Sequence, residues 1–166
     1  MVNENVDPQL LRDVMARHAA AVAVVTTRHE EGLYGLTVSA FCSVSLEPPL
    51  VLVCIDRLAR SHALIAAAGS YAVSLLGWQQ MLLADRFAGR GPLIGPGFEG
   101  VPWRTAATGA PILEGALAWV DCRLWATYDG GDHGIFVGQV QAAGLGETGE
   151  PLLSLNRRFA RVSAGP

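Results

Sequence analysis

The residues best suited to chemistry fall in three clusters. Between Leu36 and Leu46 the chain reads Leu36-Thr-Val-Ser-Ala-Phe-Cys-Ser-Val-Ser-Leu46. In one continuous strand successive side chains face opposite ways. Thr37, Ser39, Phe41, Ser43 and Ser45 would then share one face, and Val38, Ala40, Cys42, Val44 and Leu46 the other. A row of hydroxyls with one aromatic suits a polar, partly aromatic ligand lying along the strand. The solvent side of an antiparallel sheet shows the same alternation, so the pattern alone leaves both readings open.

The second cluster is Asp56-Arg-Leu-Ala-Arg-Ser-His62. Ser61 is placed to cap a helix. A helix N-terminus offers N–H groups and a positive dipole end, and Arg57 and Arg60 stand beside it, which together suit a phosphate. An ordinary capped helix with solvated arginines fits equally well. The third cluster is Asp132-His133, in a glycine-rich turn. His133 is the best acid–base or ligand candidate, because loop tips carry function more often than cores do. A solvated turn histidine is the plain alternative.

Other candidates carry less. Gly95-Pro-Gly-Phe-Glu-Gly100 matches G-x-G-x-x-G, but no strand precedes it and Val101-Pro102-Trp103 does not read as a helix, so it is no dinucleotide fingerprint. Cys42, Cys54 and Cys122 lack C-x-x-C spacing and sit in apolar or alternating runs, so they read as buried thiols of a reduced protein, with no metal site. His18 reads as a packed helix residue, His29 as part of an exposed turn, and His62 as part of the phosphate-type helix. No Ser–His–Asp or paired-carboxylate spacing is present. Trp78, Trp103, Trp119 and Trp125 read as core or interface.

The elements that must position these clusters follow from periodicity. Asp7 and Pro8 mark a helix start, and Leu10, Leu11, Val14, Met15 and His18 keep helical spacing to about Ala20. Residues 21–27 read as a strand, 29–32 as a turn, and 33–46 as a second extended segment stopped by Glu47-Pro48-Pro49. Residues 50–56 form a third strand, apolar on both faces. Short helices are expected at about 61–68 and 79–87, with a strand at 71–76 between them. A long Gly/Pro-rich loop covers 89–100. Strands follow at 116–128 and 135–142 around the 129–132 turn, and the 151–162 tail reads as a last strand or short helix. Hairpin turns without regular βαβ units argue for a mainly β, antiparallel sheet closed into a barrel.

Composition narrows the classes. The chain has 166 residues, room for one domain, with 51% hydrophobic and only 16% charged residues. That excludes disorder and implies more apolar surface than one small core hides, hence a homo-oligomer. A net charge of −3 argues against a nucleic-acid partner. There is no lysine, so an anion must be held by arginine, backbone N–H groups or hydroxyls. The longest apolar run, 19–25, is too short for a membrane helix, and the acidic start, Met1 to Asp7, is unlike a signal peptide, so a cytoplasmic location is expected.

Three motifs, in order, carry a family likeness: Gly35-Leu-Thr-Val-Ser-Ala-Phe-Cys-Ser-Val-Ser-Leu-Glu-Pro-Pro-Leu-Val51, Arg86-Phe-Ala-Gly89 and Gly131-Asp-His-Gly-Ile-Phe-Val-Gly-Gln-Val140. From about Leu10 to Val162 the chain resembles the short-chain flavin reductases, the small components of two-component flavin monooxygenases. The resemblance implies a mainly β (α+β) Greek-key split β-barrel, a flavin reductase-like FMN-binding fold spanning 1–166 as one domain. It implies a homodimer that transfers a hydride from NADH (or NADPH) to FMN (or FAD) and supplies a partner monooxygenase, in aromatic-polyketide antibiotic biosynthesis.

By the same resemblance Thr37, Val38, Ser39 and Ala40 line the flavin, and Cys54, Ile55 and Asp56 lie near its ring or ribityl chain. Arg60 and Ser61 meet the phosphate, Phe87, Ala88 and Gly89 form the opposite wall, and His133 serves the nicotinamide donor. Two departures stand out. Ser154 and Asn156 replace a tyrosine and an arginine common in relatives, which weakens any tail contribution. Gly134 replaces a bulkier residue, which would loosen the donor pocket. A flavin enzyme acting on an organic substrate with tightly held flavin, or a flavin-binding module without turnover, are the rival expectations.

Overall fold

The computed structural model describes residues 6–30, 32–90 and 97–162. The acidic start before Val6, Glu31 and part of the 89–100 loop, including Gly95 and Pro96 of the glycine motif, lie outside the described residues.

Helix α1 (Pro8–Ala16) opens as expected: the Asp7 carboxylate accepts from Gln9 N–H at 2.9 Å, with Pro8 in the first turn. It ends at Ala16, four residues early. His18 lies beyond it and is exposed, contrary to the packed position expected. The apolar stripe of α1 buries nothing: Leu10, Leu11, Val14 and Met15 stay 54–57% exposed.

Strands β1 (Ala20–Ala21), β2 (Ala23–His29), β3 (Gly32–Val38), β4 (Phe41–Leu46), β5 (Pro49–Asp56), β6 (Ser70–Leu75), β9 (Ala118–Gly130), β10 (His133–Leu145), β11 (Leu153–Leu155) and β12 (Arg158–Ala160) carry most of the fold, with two short strands, β7 (Trp103–Arg104) and β8 (Ile112–Leu113), before β9. Helix α2 (Arg60–Ala68) sits between β5 and β6. Helix α3 (Met81–Phe87) follows a 3₁₀ turn at Trp78–Gln80. The main sheet has seven strands in the order β3-β2-β6-β9-β10-β5-β4, every pair antiparallel.

That order forces the sheet to curl. Its two edges, β3 and β4, are joined by Ser39 and Ala40 alone. Val38 and Phe41 can be at most about 11 Å apart along the chain, whereas the edges of a flat seven-stranded sheet stand roughly 29 Å apart. The sheet must bend until its edges meet at this corner. Cys54 N–H of β5 donates to Ala40 O at 3.1 Å and fixes the corner against the neighbouring strand.

The corner overturns the expectation of one extended segment from 33 to 46. The strand breaks at Ser39–Ala40, and β4 carries a register shift between Ser43 and Ser45. Thr37, Ser39, Phe41, Ser43 and Ser45 therefore do not share one face. The apolar alternates fare differently too: Cys42 is exposed, and Val44 and Leu46 are 49% and 86% exposed.

The inside of the curl is the main core. Val51, Val53 and Ile55 of β5 pack there with Val25, Val38, Tyr71, Val73 and Phe136; each such side chain contributes about 1.5–3 kcal/mol by burial. The other face of β5, Leu52 and Cys54, is half-buried, which explains why this strand looked apolar on both sides. A second cluster, including Val24, Leu76, Phe87 and Leu152, holds α3 against the sheet, with Trp78 and Trp103 at its margin. Trp119 borders a third cluster, while Trp125 is 55% exposed. The tail is a β11–β12 hairpin, turned by Asn156 and Arg157 at positive φ, and β11 pairs with β1. The strands around the 129–132 turn run longer than expected and leave only Gly131 and Asp132 between them.

Candidate functional site

The Ser39–Ala40 corner is where cavities meet. One, of about 510 Å³, is lined by Leu36, Thr37, Val38, Ser39, Ala40, Cys54, Asp56, Leu58, Ala59 and His133. A larger one, of about 840 Å³, lies between α1, the start of β4 and the tail hairpin. The two share Ser39, Ala40, Cys54 and His133. A third, of about 160 Å³, brings Ala88, Arg90 and Phe159 to Thr37, Val38 and Ser39.

Each wall has a local cause. Thr37 Oγ1 donates to Ala84 O at 2.7 Å, tying β3 to α3. Cys54 projects from the outer face of β5. Burial, and then the neighbouring Cys42, push its thiol up, so it stays protonated and acts as a small neutral wall. Asp56 closes β5 and turns the chain: its Oδ1 accepts from Leu58 N–H at 2.8 Å.

The start of α2 departs from expectation. Ala59, not Ser61, is the N-cap, and Ser61 is the second helical residue, buried. Leu58 and Ala59 line the smaller cavity, so the positive end of α2 abuts it. The Arg60 guanidinium stacks over the Tyr34 ring, 4.9 Å from its centroid, and donates to its hydroxyl at 3.2 Å. Arg57, grouped with the phosphate on sequence, turns instead to the 129–132 turn, donating to Gly131 O and pairing with Asp129, both at 2.8 Å.

Ile55 points its side chain into the core, only 1% exposed, so only its backbone can border a ligand. The ring of Phe87 lies beneath β3: a Cβ on Gly35 would stand 2.5 Å from it. Ala88 reaches the third cavity, and Gly89 turns the chain at φ +70°.

His133 opens β10 opposite Asp56 of β5. Its Nδ1 lies 2.7 Å from Asp132 Oδ1, and that hydrogen bond holds the Asp132 carboxyl below its ordinary range. The space expected at Gly134 is taken by the His62 ring. Sequence reasoning missed Arg12, His18 and Arg157, which line the larger cavity. It also undervalued Ser154, which borders the larger and the third cavities. Their signal was spread over the two ends of the chain.

The flavin reductase like domain family matches residues 15–163. The chain belongs to that family. It is 43% identical over 157 residues to the actinorhodin polyketide dimerase of Streptomyces coelicolor, covering 94% of this chain and 87% of that one. It is 36% identical to the flavin-dependent monooxygenase reductase subunit HsaB of Mycobacterium tuberculosis, covering 85% and 74%. It is 37% identical to the FMN reductase (NADH) RutF of Stutzerimonas stutzeri, covering 92% and 87%. Among solved structures, the NADH:FAD oxidoreductase SgcE6 of Streptomyces globisporus superimposes with a TM-score of 0.87 at 36% identity, over 99% of this chain and 100% of that one. The mainly β, antiparallel fold is thus that of a flavin reductase.

The residues present fit a flavin. The smaller cavity is within the usual range for a small-molecule site, about 300–1,000 Å³, and mixes apolar walls with a few polar groups. Only the small side chains of Ser39 and Ala40 stand at the corner, so a flat ring can approach the backbone there.

Proposed function

We propose that this chain is an NAD(P)H:flavin oxidoreductase that passes a hydride from NADH to FMN or FAD and supplies the reduced flavin to a separate monooxygenase. The observation that carries this reading is the shared floor of the two large cavities: Ser39, Ala40, Cys54 and His133 border both, so two flat molecules entering from different sides meet there. Bound flavin supplies the electron-accepting ring; the chain supplies position.

In this reading the residues divide the work as follows. Thr37, Val38, Ser39 and Ala40 form the rim against which the flavin lies. Cys54 and Asp56 face it from β5, with Ile55 contributing backbone. The start of α2 abuts the smaller cavity through Leu58 and Ala59, and in this reading Arg60 and Ser61 of its first turn meet the phosphate, while Ala88 and Gly89 close the far side beside Phe87. An ionised carboxylate can only accept, so Asp132 keeps the proton of neutral His133 on Nδ1. Nε2 is left to accept from the donor's carboxamide. No general base is required, because the transferred particle is a hydride.

The protein acts as a homodimer and as one domain over residues 1–166 in this reading. The exposed apolar face of α1 and the exposed Val44 and Leu46 of edge strand β4 support an interface. Three free thiols suit the reducing cytoplasm. Among the described residues no helix is long and apolar enough to cross a membrane. The likeness to an actinorhodin-pathway protein supports a role in aromatic-polyketide antibiotic biosynthesis.

Steady-state oxidation of NADH and NADPH with added FMN, FAD or riboflavin tests the proposal. Flavin-dependent turnover with at least one nucleotide is expected, from protein that is nearly colourless as purified. No turnover with either nucleotide overturns it, and a deep yellow protein inert to both would favour a tightly bound flavin acting on an organic substrate.

A further inference from the structure

We infer that Arg57 and His62 are positioning residues of the reductase reaction, holding His133 from both flanks; the role rests on the reading just given, the geometry does not.

On one flank stands Arg57. Its backbone N–H donates to Asp132 O at 3.0 Å, its Nε to Gly131 O at 2.8 Å, and its terminal NH2 pairs with Asp129 Oδ1 at 2.8 Å. The same Asp129 oxygen accepts from Gly131 N–H at 2.9 Å. The two residues preceding His133 are therefore fixed by one side chain and its own backbone. Arg57 and Asp129 are 46% and 81% exposed, so their ion pair adds little to stability. What it supplies is the shape of the turn.

On the other flank stands His62. Its Nε2 is buried without a hydrogen-bond partner, and a Cβ on Gly134 would stand 2.4 Å from it. The ring meets Phe136 edge-on, with centroids 4.9 Å apart. A polar nitrogen spent without a partner is an expensive way to fill space. Its distinctive effect is to occupy the place of a side chain at 134 and hold the backbone just after His133. Arg57 and His62 lie five residues apart, on the segment that leads from β5 into α2. The element facing the flavin phosphate therefore also sets the donor histidine.

Five variants test this: Arg57→Ala, Arg57→Lys, His62→Ala, Gly134→Ala, and Gly134→Ala combined with His62→Ala. Nitrogen–proton NMR of the His133 imidazole reads the geometry whether or not the protein turns over. A wild type without reductase activity would thus sink the functional reading, while these signals still judge the clamp. Arg57→Ala should shift the His133 signals and raise the KM for NADH about tenfold, with flavin affinity within about twofold. Arg57→Lys should recover part of that loss, because it keeps the charge but not the fork. Gly134→Ala should raise the KM for NADH about as much, and adding His62→Ala should bring it back to within about twofold of His62→Ala alone. If Gly134→Ala does not fold, the double variant should. Unchanged His133 signals in Arg57→Ala, equal losses for NADH and flavin, or additive effects of the two substitutions at 62 and 134 would each overturn the inference.

Discussion

Asp132 and His133 are sequence neighbours whose side chains bond to each other, Oδ1 to Nδ1, across 2.7 Å at the first residue of β10. Adjacent residues on a regular strand point to opposite faces, so this contact depends on Asp132 belonging to the turn. The pair commits one ring nitrogen and leaves the other for a ligand. Replacing His133 by alanine should raise the KM for NADH about tenfold, the loss of one good hydrogen bond, with a smaller change in the KM for flavin. Steady-state kinetics with each substrate varied in turn checks this; equal effects would remove His133 from the donor side.

The carboxyls of Asp129 and Asp132 both titrate below their ordinary value of 3.8, the first held by the Gly131 N–H and then Arg57, the second by His133. A depressed folded value means the interaction is fully present above 3.8 and is lost as pH falls through the lower folded value. The turn should thus keep its geometry across neutral and mildly acidic pH. Carbon-13 NMR titration of the two carboxyls should give midpoints below 3.8; a midpoint at or above it contradicts the described bonds.

Ser61 is buried in the first turn of α2. If the FMN phosphate lies there, Ser61→Ala removes a hydrogen bond to a charged group, worth about 1.5–3 kcal/mol. FMN affinity should fall about tenfold or more while riboflavin affinity stays within about twofold. Fluorescence titration with both flavins decides it, and matched losses would move the phosphate elsewhere.

Thr37→Val keeps the shape of the side chain but deletes its bond to Ala84 O. That carbonyl still accepts from Ala88 N–H at 3.0 Å, so the cost should be small, about 0.5–1 kcal/mol. Thermal melting should show a fall of a few degrees; a fall beyond about 10 °C would mean Thr37 does more than this bond.

Leu46→Glu on β4 and Leu11→Glu on α1 put charge on the exposed apolar surface. Light scattering should give twice the 17.5 kDa chain mass for the wild type and a shift toward single chains for the variants. A wild type already at 17.5 kDa would refute the homodimer.

Much of the fold was legible because local signals agreed with it. Asp7-Pro8 marked α1, Glu47-Pro48 marked the β4–β5 turn, and β-branched residues marked β2 and β5. The break at Ser39–Ala40 was not legible: two small residues inside an alternating run carry no turn signal, and only the meeting of sheet edges demands the bend. The role of Arg57 was hidden for a related reason. An arginine beside a helix start suggests a phosphate, and its actual partners lie more than seventy residues away. Gly134 alone suggested empty space, since nothing local says that His62 fills it. The exposure of Cys42 and of the α1 stripe likewise depends on which edges the sheet leaves uncovered.

A two-residue bridge between the rims of the sheet works like the slider of a zip. Widening it by even a few residues would release the rims together, and the adjoining cavities would lose their common floor in one event. Lengthening the β11–β12 hairpin would disturb the walls that Ser154, Arg157 and Phe159 give the cavities, but would leave the rims joined.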